Sequence, residues 1–351
     1  MSNTIAKIFN DGAADLRRKV TGLYGVLIAI NLAAWGWALA TFHDNPLLLG
    51  TALLAYSFGL RHAFDADHIA AIDNVTRKLM QENKRPVGVG FFFSLGHSTV
   101  VVLLAVGVAA TAAAIQSHFD DLKDVGGIVG TLVSTLFLFV IAAINIFILR
   151  NVWRGFRRVR AGGRLEPENL DMLLAGGGPM THLFRRLFRL IGRSWHMFPL
   201  GFLFGLGFDT ATEVGLLGIS ASEAAKGLSV WSILVFPALF TAGMSLMDST
   251  DGVLMIGAYN WAFVKPIRKL YYNLTITSVS VIVAVVVGGI EALGLIGDQL
   301  GLEGGFWDGI GALNDNFGTL GYAIVGIFIA AWIVSALIYK LKRYDEIEVG
   351  T

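Results

Sequence analysis

Apolar stretches near or above the ~20 residues that a helix needs to cross a bilayer recur along the chain. They fall at about 21–42, 47–73, 87–114, 126–149, 197–219, 229–260, 271–296 and 318–340. The pattern predicts an all-α polytopic membrane protein with about eight transmembrane helices, forming one integral domain over residues 1–351. A single long polar segment, 150–196, reads as a basic cytoplasmic loop between helices 4 and 5.

Charge tests that count independently. Of the 27 basic residues, all but Lys123, Lys226 and Arg61 fall at the N-terminus, the C-terminus or the 2–3, 4–5 and 6–7 connections. Alternation of basic-rich and basic-poor connections predicts an even number of spans in the cytoplasmic membrane, with both termini cytoplasmic. The first span, preceded by about twenty mixed residues, reads as a signal anchor. Within the 4–5 loop, Leu183, Phe184, Leu187, Leu190 and Ile191 share one face, with Arg185, Arg186, Arg189 and Arg193 around it. That segment is either an interfacial helix or one packed on other loops. At 55% hydrophobic and 15% charged the chain is not a soluble enzyme, and with no cysteine it has no disulfide, thiolate metal site or thiol redox chemistry.

Four spans carry groups that lipid rejects. Span 2 holds Arg61, His62, Asp65, Asp67 and His68; span 3 holds His97, Ser98 and Thr99; span 5 holds Asp209, Thr210, Thr212 and Glu213; span 6 holds Asp248, Ser249, Thr250 and Asp251. At 1.5 Å per residue, His62 lies ~20 Å below the outer end of span 2, and His97 and Asp209 lie ~15 and ~18 Å above the inner ends of spans 3 and 5; Asp248 comes out somewhat inward of centre, ~28 Å from the outer end of span 6, so the groups lie near one level. Each charge at mid-bilayer costs about 2.5–3.5 kcal/mol, so these carboxylates together would cost ~15 kcal/mol uncompensated. Water, protons or a bound cation must offset that, and Arg61 is read as a counter-ion for Asp65 at i,i+4. On an ideal helix His62 and His68 differ by ~120°, so both reach one ion only at a distortion or a helix end. Other groups have plainer readings. His97 alone would suit a packed, hydrogen-bonded histidine, the threonines can bond back to their own helix, and Met244 and Met247 suit packing.

A weak internal repeat accompanies the cluster. Phe58-Gly59-Leu60 followed by Phe64-Asp65 recurs as Phe204-Gly205-Leu206 followed by Phe208-Asp209, and Phe93 to Ser98 aligns on Phe240 to Ser245. Opposite directions of travel make this a possible 3+3 inverted repeat with two helices appended, an arrangement that places substrate sites at the midplane. Imidazole plus carboxylate without thiolate suits nickel, cobalt, zinc or iron(II). Magnesium and calcium would not need the histidines.

Arg61-His-Ala-Phe-Asp-Ala-Asp-His68 resembles the signature of the single-component nickel/cobalt transporters, the family abbreviated NiCoT. Phe93-Ser-Leu-Gly-His-Ser-Thr-Val-Val101, Leu206-Gly-Phe-Asp-Thr-Ala-Thr-Glu213 and Gly243-Met-Ser-Leu-Met-Asp-Ser-Thr-Asp251 are similar to that family's other motifs. The resemblance implies eight helices, high-affinity uptake of nickel or cobalt across the cytoplasmic membrane, and an essential first motif. The candidate metal-site residues are His62, Asp65, Asp67, His68, His97, Asp209, Glu213, Asp248 and Asp251. No cofactor, nucleic-acid partner or obligatory ATPase subunit is expected, only the transported ion and the bilayer. The competing readings are a proton-coupled carrier of another cation or solute and an intramembrane metalloenzyme.

Overall fold

Asn45 starts a helix for two local reasons: its side chain accepts a hydrogen bond from the Leu48 amide, and Pro46 follows, where a missing N–H is harmless. Asp15 caps the preceding helix in the same way through the Arg17 amide. The computed structural model describes residues 8–12, 15–110, 119–160, 191–206, 211–262 and 266–342. The helices are α1 (Leu16–Phe42), α2 (Pro46–His62), α3 (Ala66–Gln81), α4 (Val89–Ala110), α5 (Phe119–Arg160), α6 (Met197–Phe204), α7 (Ala211–Ala225), the single turn α8 (Val230–Ile233), α9 (Val235–Ala262), α10 (Pro266–Leu300), α11 (Gly305–Asp315) and α12 (Phe317–Leu341). All regular structure among the described residues is helical, as the sequence pattern requires.

Six segments are long and apolar enough to cross a membrane singly: α1, α4, α5, α8 with α9, α10 and α12. Span 2 is not one straight helix. It breaks between His62 and Ala66 into α2 and α3, which meet at a bend of 52° and pass the same test only as a pair. The segment expected as span 5 is likewise two helices, α6 and α7, each short of a full crossing. A further correction concerns Arg77 and Lys78, expected in a cytoplasmic loop. Both lie on α3, and Arg77 is 1% exposed. The small helix α11 was not anticipated: its eleven residues are too few to cross a bilayer, and it falls between the spans expected at 271–296 and 318–340. Most of the basic loop, including Leu183 to Leu190, lies outside the described residues.

At the centre stands α9, which packs on α1, α2, α3 and α4, while α5 and α10 form a second paired layer joined by α11 and α12. Helix α1 runs antiparallel to α9: Tyr24 donates to Thr250 at 3.1 Å, Asn31 to the Ala242 carbonyl at 3.3 Å, and Phe42 stacks on Phe236. The starts of α1, α4 and α6 share one end of the bundle, here the N-terminal face. There Asp11 takes the Ser194 amide at 2.7 Å and its carbonyl takes the Arg85 amide at 2.9 Å. Between the two layers lies α3, almost wholly buried although half of it is polar.

Glycine lets the helices around α9 and α4 touch backbone to backbone. A Cβ on Gly59 of α2 would fall 2.1 Å from the Phe240 carbonyl oxygen of α9, and one on Gly201 of α6 would fall 2.0 Å from that of Phe93 on α4. The reverse contacts exist too: Gly243 of α9 sits on the Tyr56 carbonyl and Leu60 amide, and Gly96 of α4 on the Phe198 carbonyl and Phe202 amide. Apolar helices in lipid gain little from the hydrophobic effect, so such close approach supplies the dispersion contact that holds them. Gly59→Ala and Gly201→Ala should each destabilise the purified protein by about 1–3 kcal/mol. Gly50→Ala, with nothing within 4 Å of the added carbon, should be neutral. Thermal unfolding in detergent, followed by size-exclusion chromatography, checks the contrast; equal melting temperatures would refute it.

Candidate metal centre

The break after α2 creates the site. The last turn of α2 tightens: the Phe64 amide bonds to the Arg61 carbonyl at 3.0 Å and the Asp65 amide to that of His62 at 2.9 Å. Asp65 then occupies the cap position of α3 in an extended conformation, yet its side chain makes no capping bond. Its carboxylate lies instead 2.7 Å from His62 Nδ1. A conventional cap would contribute about 1 kcal/mol, so the local sequence favours the histidine over the helix end. The expected Arg61 and Asp65 pairing is replaced, because it required a helix continuous through both residues.

The bend also removes the ~120° separation that a straight helix would impose. His62 from α2, His68 from the first turn of α3 and His97 from α4 form a near-equilateral triangle of rings, with centroid separations of 4.7, 4.8 and 4.8 Å. One ring nitrogen from each lies within 4.8 Å of the other two. Two carboxylates join them. Glu213 Oε1 of α7 is 2.8 Å from His97 Nε2 and 3.7 Å from His62 Nε2, while the two Nε2 atoms are 2.9 Å apart. Asp248 of α9 has both oxygens 3.4 Å from His68 Nδ1.

These separations are informative chemically. Donors ~2.1 Å from one ion stand about 3.0–3.4 Å apart along the edge of an octahedron or tetrahedron, close to the spacing of His62 Nε2, His97 Nε2 and Glu213 Oε1. A proton on His97 Nε2 can serve one neighbour, whereas a cation between the three serves all of them. His68 Nε2 and His97 Nδ1 are buried without a hydrogen-bond partner, although buried ring nitrogens normally have one. Asp65 on the far nitrogen of His62 is the outer partner that typically fixes the tautomer of a ligating imidazole.

The remaining candidates sit differently. Asp67, in the first turn of α3, is half-buried and outside the group of three rings. Asp251 lies one turn beyond Asp248 on α9, with Oδ2 buried and unpartnered. Asp209 lies outside the described residues.

Two features escaped the reading of the sequence. The polar half of α3 is tied to three helices: Tyr259 of α9 and Ser280 of α10 donate to Asp73, the latter at 2.7 Å, and Arg77 donates to Thr277 of α10 and to Asn74, both at 2.8 Å. Asn145 of α5 also donates to Asn74, at 2.7 Å. Arg77 was hidden by its place in an apparent loop. Glu291 is a buried acid inside span 7, held by Ser134 at 2.9 Å and Thr135 at 3.2 Å from α5. A lone acid in an apolar window was the available signal.

A membrane bundle enclosing three converging imidazoles and two carboxylates defines a polytopic protein with an internal centre suited to a divalent transition metal. The chain belongs to the family of high-affinity nickel-transport proteins, which it matches over residues 48–338. It is 61% identical over 349 residues to a high-affinity nickel transport protein of Cupriavidus necator, covering 99% of both chains. It is 46% identical to the nickel transporter NixA of Staphylococcus aureus, over 92% of this chain and 94% of that one. It is 40% identical to the cobalt transport protein NhlF of Rhodococcus rhodochrous, over 93% and 94% respectively. No solved structure matches the chain.

If His97 and Glu213 act on one ion, their substitutions are not independent. His97→Ala and Glu213→Gln should show a coupling above about 0.5 kcal/mol in a double-mutant cycle on nickel affinity, measured by titration calorimetry of the purified protein. Strict additivity would make the pair a packing contact only.

Proposed function

We propose that this chain is a single-component permease for nickel or cobalt uptake, and that the ion passes through the His62, His68 and His97 centre with Glu213 and Asp248 as carboxylate donors. The observation that carries the reading is the convergence of His62 Nε2, His97 Nε2 and Glu213 Oε1 at coordination-edge distances, in a chain of this family. In this reading Asp65 orients His62, while Asp67, Asp209 and Asp251 lend negative charge along the path. The N-terminal face is cytoplasmic, in keeping with the basic residues there. Eight crossings follow if α2 with α3 and α6 with α7 each count as one broken span. Broken helices around a midplane site are the usual construction of secondary transporters.

The mirrored glycine contacts support an inverted repeat. Gly59 on Phe240 has its counterpart in Gly201 on Phe93, and Gly243 on Tyr56 and Leu60 in Gly96 on Phe198 and Phe202. This register matches Gly59 with Gly201 in place of Gly205. Extended without a gap, it makes Asp209 the counterpart of Asp67 in place of Asp65.

The chain contains no Gly-x-x-x-x-Gly-Lys-Ser or Thr sequence, and an interior-negative potential favours entry of two charges by about 4.6 kcal/mol per 100 mV, so the reading needs no ATPase partner. Purified protein in liposomes should therefore accumulate nickel without ATP, faster with a negative interior. His62→Ala or His68→Ala at equal protein level should abolish that accumulation. Cobalt should compete at low concentration and magnesium only weakly, since it keeps its waters and prefers oxygen donors. A strict ATP requirement, full uptake by either histidine variant, or equal competition by magnesium would overturn the reading.

A further inference from the structure

Two phenylalanines pack against the histidine triangle, and both are completely buried. Phe240 of α9 lies against His62 with ring centroids 5.5 Å apart. Phe93 of α4 meets His68 edge to face at 4.8 Å and reaches His97 at 6.3 Å. Their positions along the bundle differ. Helices α4 and α9 are antiparallel and level with one another where Ser94 donates to Ser245 at 3.0 Å. Phe93 is one residue from that level toward the N-terminal face, and Phe240 is five residues from it, ~7.5 Å, toward the opposite face. His62 and His97 thus have one aromatic ring on each side, with His68 and Asp248 beside Phe93.

Each ring is also rooted at a backbone contact between helices that close on one another. The Phe240 carbonyl bears on Gly59 of α2, and the Phe93 carbonyl on Gly201 of α6. Separation of α2 from α9 would carry Phe240 away from His62, and separation of α4 from α6 would carry Phe93 from the aromatic ring of Phe204, which it meets at 5.3 Å. Phe204 in turn meets Phe137 of α5 at 5.9 Å. A dication cannot cross a dry aromatic constriction without shedding water and displacing the ring, and hydrophobic constrictions gate ion paths by that means.

We infer that Phe240 and Phe93 are the two gates of the ion path, closing the metal centre from the opposite face and from the N-terminal face respectively, and that the conformation described here has both closed. The inference rests on the histidine triangle being the ion's site.

The absence of cysteine from the natural chain makes a direct test possible. His97→Cys places a single thiol in the centre, and a charged, membrane-impermeant thiosulfonate reagent is applied to one side of sealed vesicles of known orientation. Labelling should be slow from both sides. Adding Phe240→Ala should raise the rate about tenfold from the opposite face only, and adding Phe93→Ala should do so from the N-terminal face only. Phe→Leu at either position should keep the rate low, since it keeps an apolar plug. If an alanine variant does not give monodisperse protein, Phe→Val is read in its place with the same outcomes deciding. No side-specific acceleration, or acceleration from both sides in each variant, overturns the gates. The readout involves no metal, so failure here leaves the accumulation results for His62 and His68 intact, and their failure leaves this one intact.

Discussion

Everything in this bundle answers to the free energy of holding imidazoles and carboxylates away from water. Desolvated ionised groups cost several kcal/mol each unless something of opposite charge shares the space. In this chain the carboxylates Asp65, Glu213 and Asp248 all approach a ring nitrogen, and the three rings lie within one triangle. A shared cation would offset the whole set at once, whereas each imidazole proton can offset only the carboxylate nearest to it. The break itself brings these groups together. Residues 63–65 contain neither glycine nor proline, so the bend is not imposed by backbone chemistry; its consequence is that His62 and His68 face one point, where a straight helix would turn them apart.

Holding a broken helix in a bilayer requires compensation, and α3 supplies it with its polar half. The bonds from Tyr259, Ser280, Thr277 and Asn145 to Asp73, Arg77 and Asn74 fix α3 against α9, α10 and α5. Each satisfies a buried donor or acceptor that would otherwise cost about 1–3 kcal/mol. The glycine contacts do the complementary task for the apolar helices, bringing backbones close enough for dispersion to replace the missing hydrophobic drive. Rigid support under His68 and close, glycine-mediated interfaces beside Phe93 and Phe240 are different mechanical roles. One fixes the position of His68, and the other brings helix backbones into direct contact.

Much of this was legible in the sequence because the membrane makes polarity conspicuous. His62, His68, His97, Glu213 and Asp248 stood out as intruders in apolar windows, and their depths already placed them at one level. The need for a distorted helix was legible too, from the angular separation of His62 and His68. What could not be read was where the distortion falls and where α3 ends, since Arg77 and Lys78 look like the start of a loop when burial is unknown. Hydropathy also fails at α6 and α7, where one apolar window covers two helices. For the proposed repeat, identical residues in the sequence favour matching Gly59 with Gly205, while the backbone contacts correspond when Gly59 is matched with Gly201. Apolar sequences match by composition in several registers, and only the interhelix contacts distinguish them.

The donor set also bears on selectivity. Nickel and cobalt are adjacent in the stability order of divalent metals, so imidazole and carboxylate ligands of the same number bind the two with similar preference. Relatives at 40–61% identity carry names of both kinds, nickel and cobalt. Discrimination must then come from how far the rings can close. With ring nitrogens up to 4.8 Å apart, the triangle has to contract around an ion whose ligands stand nearer together. The rings are carried by α2, α3 and α4, whose packing includes the close contacts at Gly59 and Gly96 and the bonds to Asp73. In the proposed reading, metal preference would then depend on helix packing around the donors as well as on the donors themselves.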